Sequence, residues 1–119
     1  MADKKLHLQQ IAHNDALVEF LSNAPYPDWI ATVTFYAALH CVQAYLLSKR
    51  PPENPQSHLA RDLAIDNDPF LNSVRNHYRD LQDVSEAARY YGFKPSSHEL
   101  RKSASDLIAI KKHLKQYLA

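Results

Sequence analysis

Glycine is almost missing from this chain: Gly92 is the single one among 119 residues. Strands joined by tight turns need glycine at positive φ and Asn-Gly pairs, and no such pair occurs, which argues against a sheet built from hairpins. The same scarcity excludes a glycine-rich phosphate loop and a Gly-flanked nucleophilic serine. Cysteine is equally scarce. Cys41 stands alone, so neither an internal disulfide nor a cysteine-based zinc site can form, and a small packed thiol is its expected role. No charge of one sign dominates: 14 basic and 13 acidic residues leave a formal charge of +1. A general duplex-binding field is therefore absent, although a local phosphate pocket needs none. The opening Met-Ala-Asp-Lys-Lys leads into no apolar signal segment, from which a cytoplasmic location is expected.

Abundant Ala, Leu, Asp and Lys point to helices, and this length suits one domain, 1–119, able to bury a core. The chain is organised around Asp28–Ser48, which holds no Lys, Arg or Glu and is apolar on every side. A helix of that kind must be enclosed by other helices. A membrane span is the rival reading. Thr32, Thr34, Tyr36, His40, Gln43 and Tyr45 are too many polar groups for hydrocarbon, so no membrane is expected.

A first helix spans about 4–23, with Leu8, Ile11, Val18 and Leu21 as its stripe. Asp15 interrupts it, either at a wet edge or paired with an Arg or His of another helix. Two prolines then break the chain, and Asp28 is expected to cap the central helix. After the proline-rich loop 49–56, Ser57 opens a short helix, His58–Asp66, with Leu59, Ala60 and Leu63 expected inward. Asp68-Pro69 starts a further helix running to Tyr90 or Tyr91. Its predicted seam is Phe70, Val74, His77, Leu81, Val84, Ala88 and Tyr91, with Tyr78, Gln82, Ser85 and Arg89 as an adjacent polar stripe. Gly92 fits the left-handed position after a helix, and Ser96-Ser-His-Glu99 matches a capping box. The last helix turns Leu100, Ala104, Leu107, Ile110, Leu114 and Leu118 inward and exposes Lys102, Lys111, Lys112 and Lys115. The fold class is thus an all-α, antiparallel up-down bundle of four long helices and one short one.

Seven histidines and seven tyrosines carry the functional question. Tyr36 and His40 sit four apart and share a face. His40 is either a satisfied buried ring bonded to Tyr36 or a carbonyl, or a ligand contact. His58 and Arg61 lie three apart at a helix start, where an imidazole and a guanidinium can hold a phosphate or act on one. The bland reading makes them a surface pair bridging to Asp62 or Asp66. Arg89, Tyr90 and Tyr91 either stack on a base or finish their helix against the core or a partner. His77 reads as structural, and His7, His98 and His113 as exposed. No His-x-x-x-His pair with a third ligand is evident, so no metal and no cofactor is expected.

Phe35-Tyr-Ala-Ala-Leu-His40, Ala44-Tyr-Leu-Leu47, Ser57-His58 and Ala87-Ala-Arg-Tyr90, in that order, resemble a HEPN domain over roughly residues 10 to 92. The resemblance implies a helical bundle that dimerises. Active members of that family are metal-independent RNases, often toxins beside a nucleotidyltransferase partner. Their Arg, four to six residues and His serve attack by a ribose 2′-hydroxyl. No arginine here has a histidine at that spacing: Arg50 and His58 are separated by seven residues, Arg89 and His98 by eight, Arg75 and His77 by one. What matches is the set Tyr36, His40, His58, Arg61, Arg89 and Tyr90. His58 and Arg61 are the candidate catalytic residues, and Tyr36, His40, Arg89 and Tyr90 the candidate ligand contacts.

Two functions follow. The first is a HEPN-like nucleic-acid- or nucleotide-associated protein, up to a metal-independent RNase of toxin–antitoxin or defence type. The second is a non-catalytic, homodimerising helical module for a protein partner. Convergence of His40, His58 and Arg61 in one open cleft favours the first.

Overall fold

The long apolar stretch forms one helix and other helices enclose it. The computed structural model describes residues 3–119, and all regular structure among them is helical. In chain order the α-helices are α1 (Lys4–Leu21), α2 (Pro27–Ser48), α3 (His58–Asp66), α4 (Arg75–Tyr90) and α5 (Ser97–His113). Single 3-10 turns lie at Leu71–Val74 and Lys115–Tyr117. Helix α2 packs against α1, α4 and α5, and α4 packs against α5, giving a helical bundle. By length and composition α2 could cross a membrane, yet 72% of its most apolar window is buried inside the fold. Phe35, Ala37, Ala38, Cys41, Val42, Ala44 and Leu46 are all buried, on every side of the helix. Leu71, Leu81, Ile110 and Leu114 meet them in one core. Each such large apolar side chain contributes about 1.5–3 kcal/mol relative to exposure. The hydroxyls of Thr32 and Thr34 donate to the carbonyls of Asp28 and Ile30, so these buried polar groups are satisfied within the helix.

Local signals fix most helix ends. Ser57 accepts from the Ala60 amide at 3.0 Å. Ser96 and Glu99 form both bonds of the capping box, at 3.2 and 3.0 Å. Gly92 adopts φ 66°, and the Phe93 amide donates to the Ala87 carbonyl across it, closing α4. The start of α2 differs from expectation. Tyr26 is the cap, Pro27 takes the first helical position, and Asp28 lies in the first turn. Proline fits there because that amide would lack a partner anyway, and the Asp28 charge suits the helix's positive end.

Two faces turn differently from the expected ones. On α3, Leu59 is 71% and Leu63 52% exposed, and Ala60 is exposed too, while Arg61 and Ile65 face inward. Ile65 joins the core and Arg61 bonds Gln43 of α2, and this i, i+4 pair sets the helix's rotation. Asp68 does cap the next segment, accepting from the Phe70 and Leu71 amides, but that segment begins as a 3-10 turn. Val74, at φ −116° and ψ 8°, interrupts it before α4 starts at Arg75. A 3-10 residue advances about 120° rather than 100°, so the face rotates. Tyr78, Leu81, Gln82, Ser85 and Ala88 are consequently the buried set, while His77 and Val84 are half-buried and Tyr91 is exposed.

On α5, Ala104 is exposed and Asp106 is buried, where it accepts from Lys102 and lies 2.8 Å from His77. Of the four lysines expected on the exposed side, Lys102, Lys112 and Lys115 are exposed, Lys102 while bonding Asp106, and Lys111 is half-buried and pairs with Asp15 of α1. Asp15 finds a lysine rather than an arginine or histidine. His113 also differs: it stacks on Phe70 at 4.2 Å and its Nε2 lies 2.7 Å from the Phe70 carbonyl oxygen.

Candidate functional site

Helix α2 offers Tyr36, His40 and Gln43 at successive turns of one face. Helix α3 lies across from Gln43 and carries Arg61, which is only 7% exposed. Its Nε donates to Gln43 Oε1 at 2.9 Å, Nη2 lies 3.5 Å from the Pro55 carbonyl oxygen, and Nη1 lies 3.5 Å from His58 Nδ1. Gln43 is itself steadied by Asn54, at 3.3 Å. Every one of these partners is neutral or a histidine, and among the described residues no carboxylate salt-bridges Arg61. A buried cation without a counter-ion carries a desolvation cost that an incoming anion relieves.

This guanidinium lines an open cleft of about 620 Å³, whose walls also include His7, His40, Gln43, Asn54 and Asp3. That volume falls in the usual range for small-molecule sites, roughly 300–1,000 Å³. His40 Nδ1 lies 2.8 Å from His7 Nδ1, which ties α1 to α2 at the cleft wall. Burial, then the neighbouring His7 and Arg61, lower the His40 pKa to about 4. His7 is lowered too, by burial and by Arg61, with Asp3 opposing. Both shifts favour the neutral ring.

A second group adjoins the first. Arg89 Nη1 donates to the Tyr36 hydroxyl at 2.5 Å, and its guanidinium lies over the rings of Tyr36, at 5.3 Å, and Tyr90, at 5.1 Å. The His58 ring bridges the two groups, 5.9 Å from Phe35 and 6.4 Å from Tyr36 on one side and touching Arg61 on the other. His40 and Arg61 thus share the open cleft. His58 backs Arg61 without lining the cleft, and Tyr36, Arg89 and exposed Tyr90 form the neighbouring aromatic–cation group.

Four of the cleft residues, His7, Gln43, Asn54 and Asp3, went unsuspected from sequence. His7 was expected in water, yet it lies four residues before Ile11 and seven before Asn14, both buried, so helical spacing already placed it on the inner face. Gln43 has the same signal, three residues after His40. Cys41 offers no nucleophile: it is fully buried, and burial pushes its thiol up to about 12. The Tyr78 hydroxyl is buried next to Arg61, and burial raises its pKa against the pull of that guanidinium. Among the described residues no cluster of three or more His, Cys, Asp or Glu side chains could hold a metal ion. The chain matches no family model, no curated protein and no solved structure.

Proposed function

We propose that this chain is a HEPN-like, nucleic-acid- or nucleotide-associated protein that receives a phosphate group at Arg61. The single observation that carries the reading is a buried guanidinium, bonded to Gln43 and salt-bridged by no carboxylate among the described residues, on the wall of an open cleft. A guanidinium fixed by Gln43 is pre-oriented for phosphate oxygens, and its fork geometry suits them. Tyr36, Arg89 and Tyr90 next door offer stacking and cation–π contacts to a base. In this reading the bundle has the antiparallel up-down arrangement of that family, and the protein works as a cytoplasmic homodimer. Its catalytic form is a metal-independent RNase of toxin–antitoxin or defence type. In that form Arg61 holds the phosphate, and His58, which backs Arg61 from outside the cleft wall, has to turn into the cleft to take the proton of the attacking 2′-hydroxyl.

The experiment is RNA cleavage by the purified protein with and without EDTA, beside a His58→Ala/Arg61→Ala variant. Cleavage that survives EDTA and is lost in the variant, by 100-fold or more (about the loss for one general acid–base group), establishes the RNase. Equal background from both proteins removes catalysis for the RNAs tested and leaves the phosphate-binding part to stand on ligand titration.

A different observation favours the non-catalytic alternative. The end of α1, the link after it and the start of α2 expose Phe20, Tyr26 and Trp29. Trp29 lines a depression with Ala88 and Arg89, beside exposed Tyr90 and Tyr91. Large exposed aromatic side chains are enriched at interaction surfaces. Sedimentation of the wild type and a Trp29→Ser/Tyr91→Ser variant tests it: a dimer that dissociates in the variant places the subunit contact there, and a monomeric wild type removes the homodimer.

A further inference from the structure

His7 and His40 face each other through like nitrogens, Nδ1 to Nδ1, at 2.8 Å. Two imidazoles can bond that way only when one Nδ1 carries a proton and the other accepts it. In the neutral pair the donor ring then has a bare Nε2, and the acceptor ring carries Nε2–H. One added proton goes to the bare Nε2 and leaves the bond intact. It becomes an imidazolium donating to an imidazole, a charge-assisted and stronger bond. A second added proton would set two N–H groups head to head. The pair is therefore built to hold no extra proton or one, with neither ring moving.

The charged groups facing the pair are Arg61 of α3 and Asp3, the capping residue of α1. Burial and Arg61 oppose the extra proton. An anion beside Arg61 reverses the electrostatic part of that opposition. Asp3 is exposed, screened by water and held on the Lys5 amide, so among buried charges the single charge of a phosphodiester is matched by Arg61 alone. The double charge of a terminal phosphate exceeds it by one, and one proton on the histidine pair supplies the balance.

We propose that the Arg61 cleft is a receptor for the dianionic terminal phosphate of a phosphomonoester, either a free nucleotide or a phosphorylated RNA end, and that the His7–His40 pair takes up one solvent proton as it binds. The proposal rests on the phosphate-binding reading above and narrows it from phosphate in general to monoesters. No covalent bond forms or breaks, and the proton comes from buffer.

The test is calorimetric titration of the full chain at pH 7.5 in buffers of different ionisation enthalpy. The probes are adenosine 5′-monophosphate, a short RNA with a 5′-phosphate, and the same RNA with a 5′-hydroxyl. At that pH a monoester phosphate is already mostly dianionic, since its second pKa is about 6. Uptake therefore reports on the protein. The expected result is close to one proton taken up per monoester, and a preference of about tenfold or more for the phosphorylated over the hydroxyl RNA. The tighter of the two monoesters identifies the source. Glutamine keeps a hydrogen-bonding group but cannot take up the proton, and a single remaining ring still could, so the His7→Gln/His40→Gln double variant should bind with no uptake and lose the monoester preference. His113→Gln, which alters a ring bonded to the Phe70 carbonyl, should match wild type. Binding without proton uptake, or equal affinity for the two RNAs, overturns this inference and leaves the phosphate-binding reading intact. No binding of any probe overturns both.

Discussion

A single side chain, Arg61, is where stability and the proposed phosphate binding meet. It is buried, its partners are neutral or a histidine, and in the proposed reading a bound anion relieves the cost of holding it there. Replacing such a cation by an apolar side chain of similar volume is often neutral or stabilising. Arg61→Met should therefore change unfolding free energy in urea by no more than about 1 kcal/mol, or raise it, while abolishing phosphate binding. A loss above about 3 kcal/mol would make Arg61 a structural keystone and remove the main support for the cleft. His40 gives a pH signature. Its folded pKa of about 4 lies below the ordinary 6.5, so the unfolded state binds the proton more readily. This contribution to stability is complete above about pH 6.5 and is lost progressively as pH falls toward 4. Urea midpoints at several pH values should fall across that window, and the slope should flatten in His40→Gln. Asp68 acts lower. Burial opposes its charge, but the bonds from Lys49, Tyr45 and the Leu71 amide outweigh it and hold the carboxyl below its usual range. Its share persists above the ordinary carboxylate value near 3.9 and is lost only in stronger acid.

At the scale of the element, caps and turns follow sequence closely because their causes are local. Ser96→Ala removes one side of the capping box and should cost about 1 kcal/mol. Gly92→Ala places a Cβ on a residue at φ 66°, with no neighbour within 4 Å to clash. Its penalty should be the backbone term alone, about 1–2 kcal/mol. Thermal unfolding of both variants checks these values. The faces of α3 and α4 were harder to read, for a stated cause in each. Leu59 and Leu63 have the spacing of an inner face, but a nine-residue helix has two candidate faces, and Ile65 with Arg61 took the core side. On α4 the run from Phe70 looked continuous, but the 3-10 turn before Arg75 shifted its phase and brought Tyr78, Gln82 and Ser85 inward. Leu59→Ser should accordingly leave stability within about 0.5 kcal/mol. A loss of 2 kcal/mol or more would mean that another surface covers this residue.

Across the whole molecule, enclosure of α2 is the dominant fact. Leu46 is fully buried among residues of the other helices, so Leu46→Ala should cost about 2–5 kcal/mol in urea unfolding. The same enclosure sets out the candidate site. Helix α2 is the one element that meets α1, α4 and α5, and through Gln43 it also fixes Arg61 of α3. Tyr36, His40 and Gln43 therefore reach three other helices from successive turns of one rod: Arg89 on α4, His7 on α1 and Arg61 on α3.

By itself the sequence determined that the chain is helical, where most helices begin and end, which helix is central and that Cys41 is buried. These follow from periodicity, capping chemistry and the scarcity of glycine, all of which act within a few residues. Only the tertiary structure decided the rotation of α3 and α4, the pairing of Asp15 with Lys111, and the meeting of His7 with His40 across 33 positions. Helical spacing says which residues share a face. It does not say which neighbour that face will meet, because that depends on how all the helices pack around α2 at once.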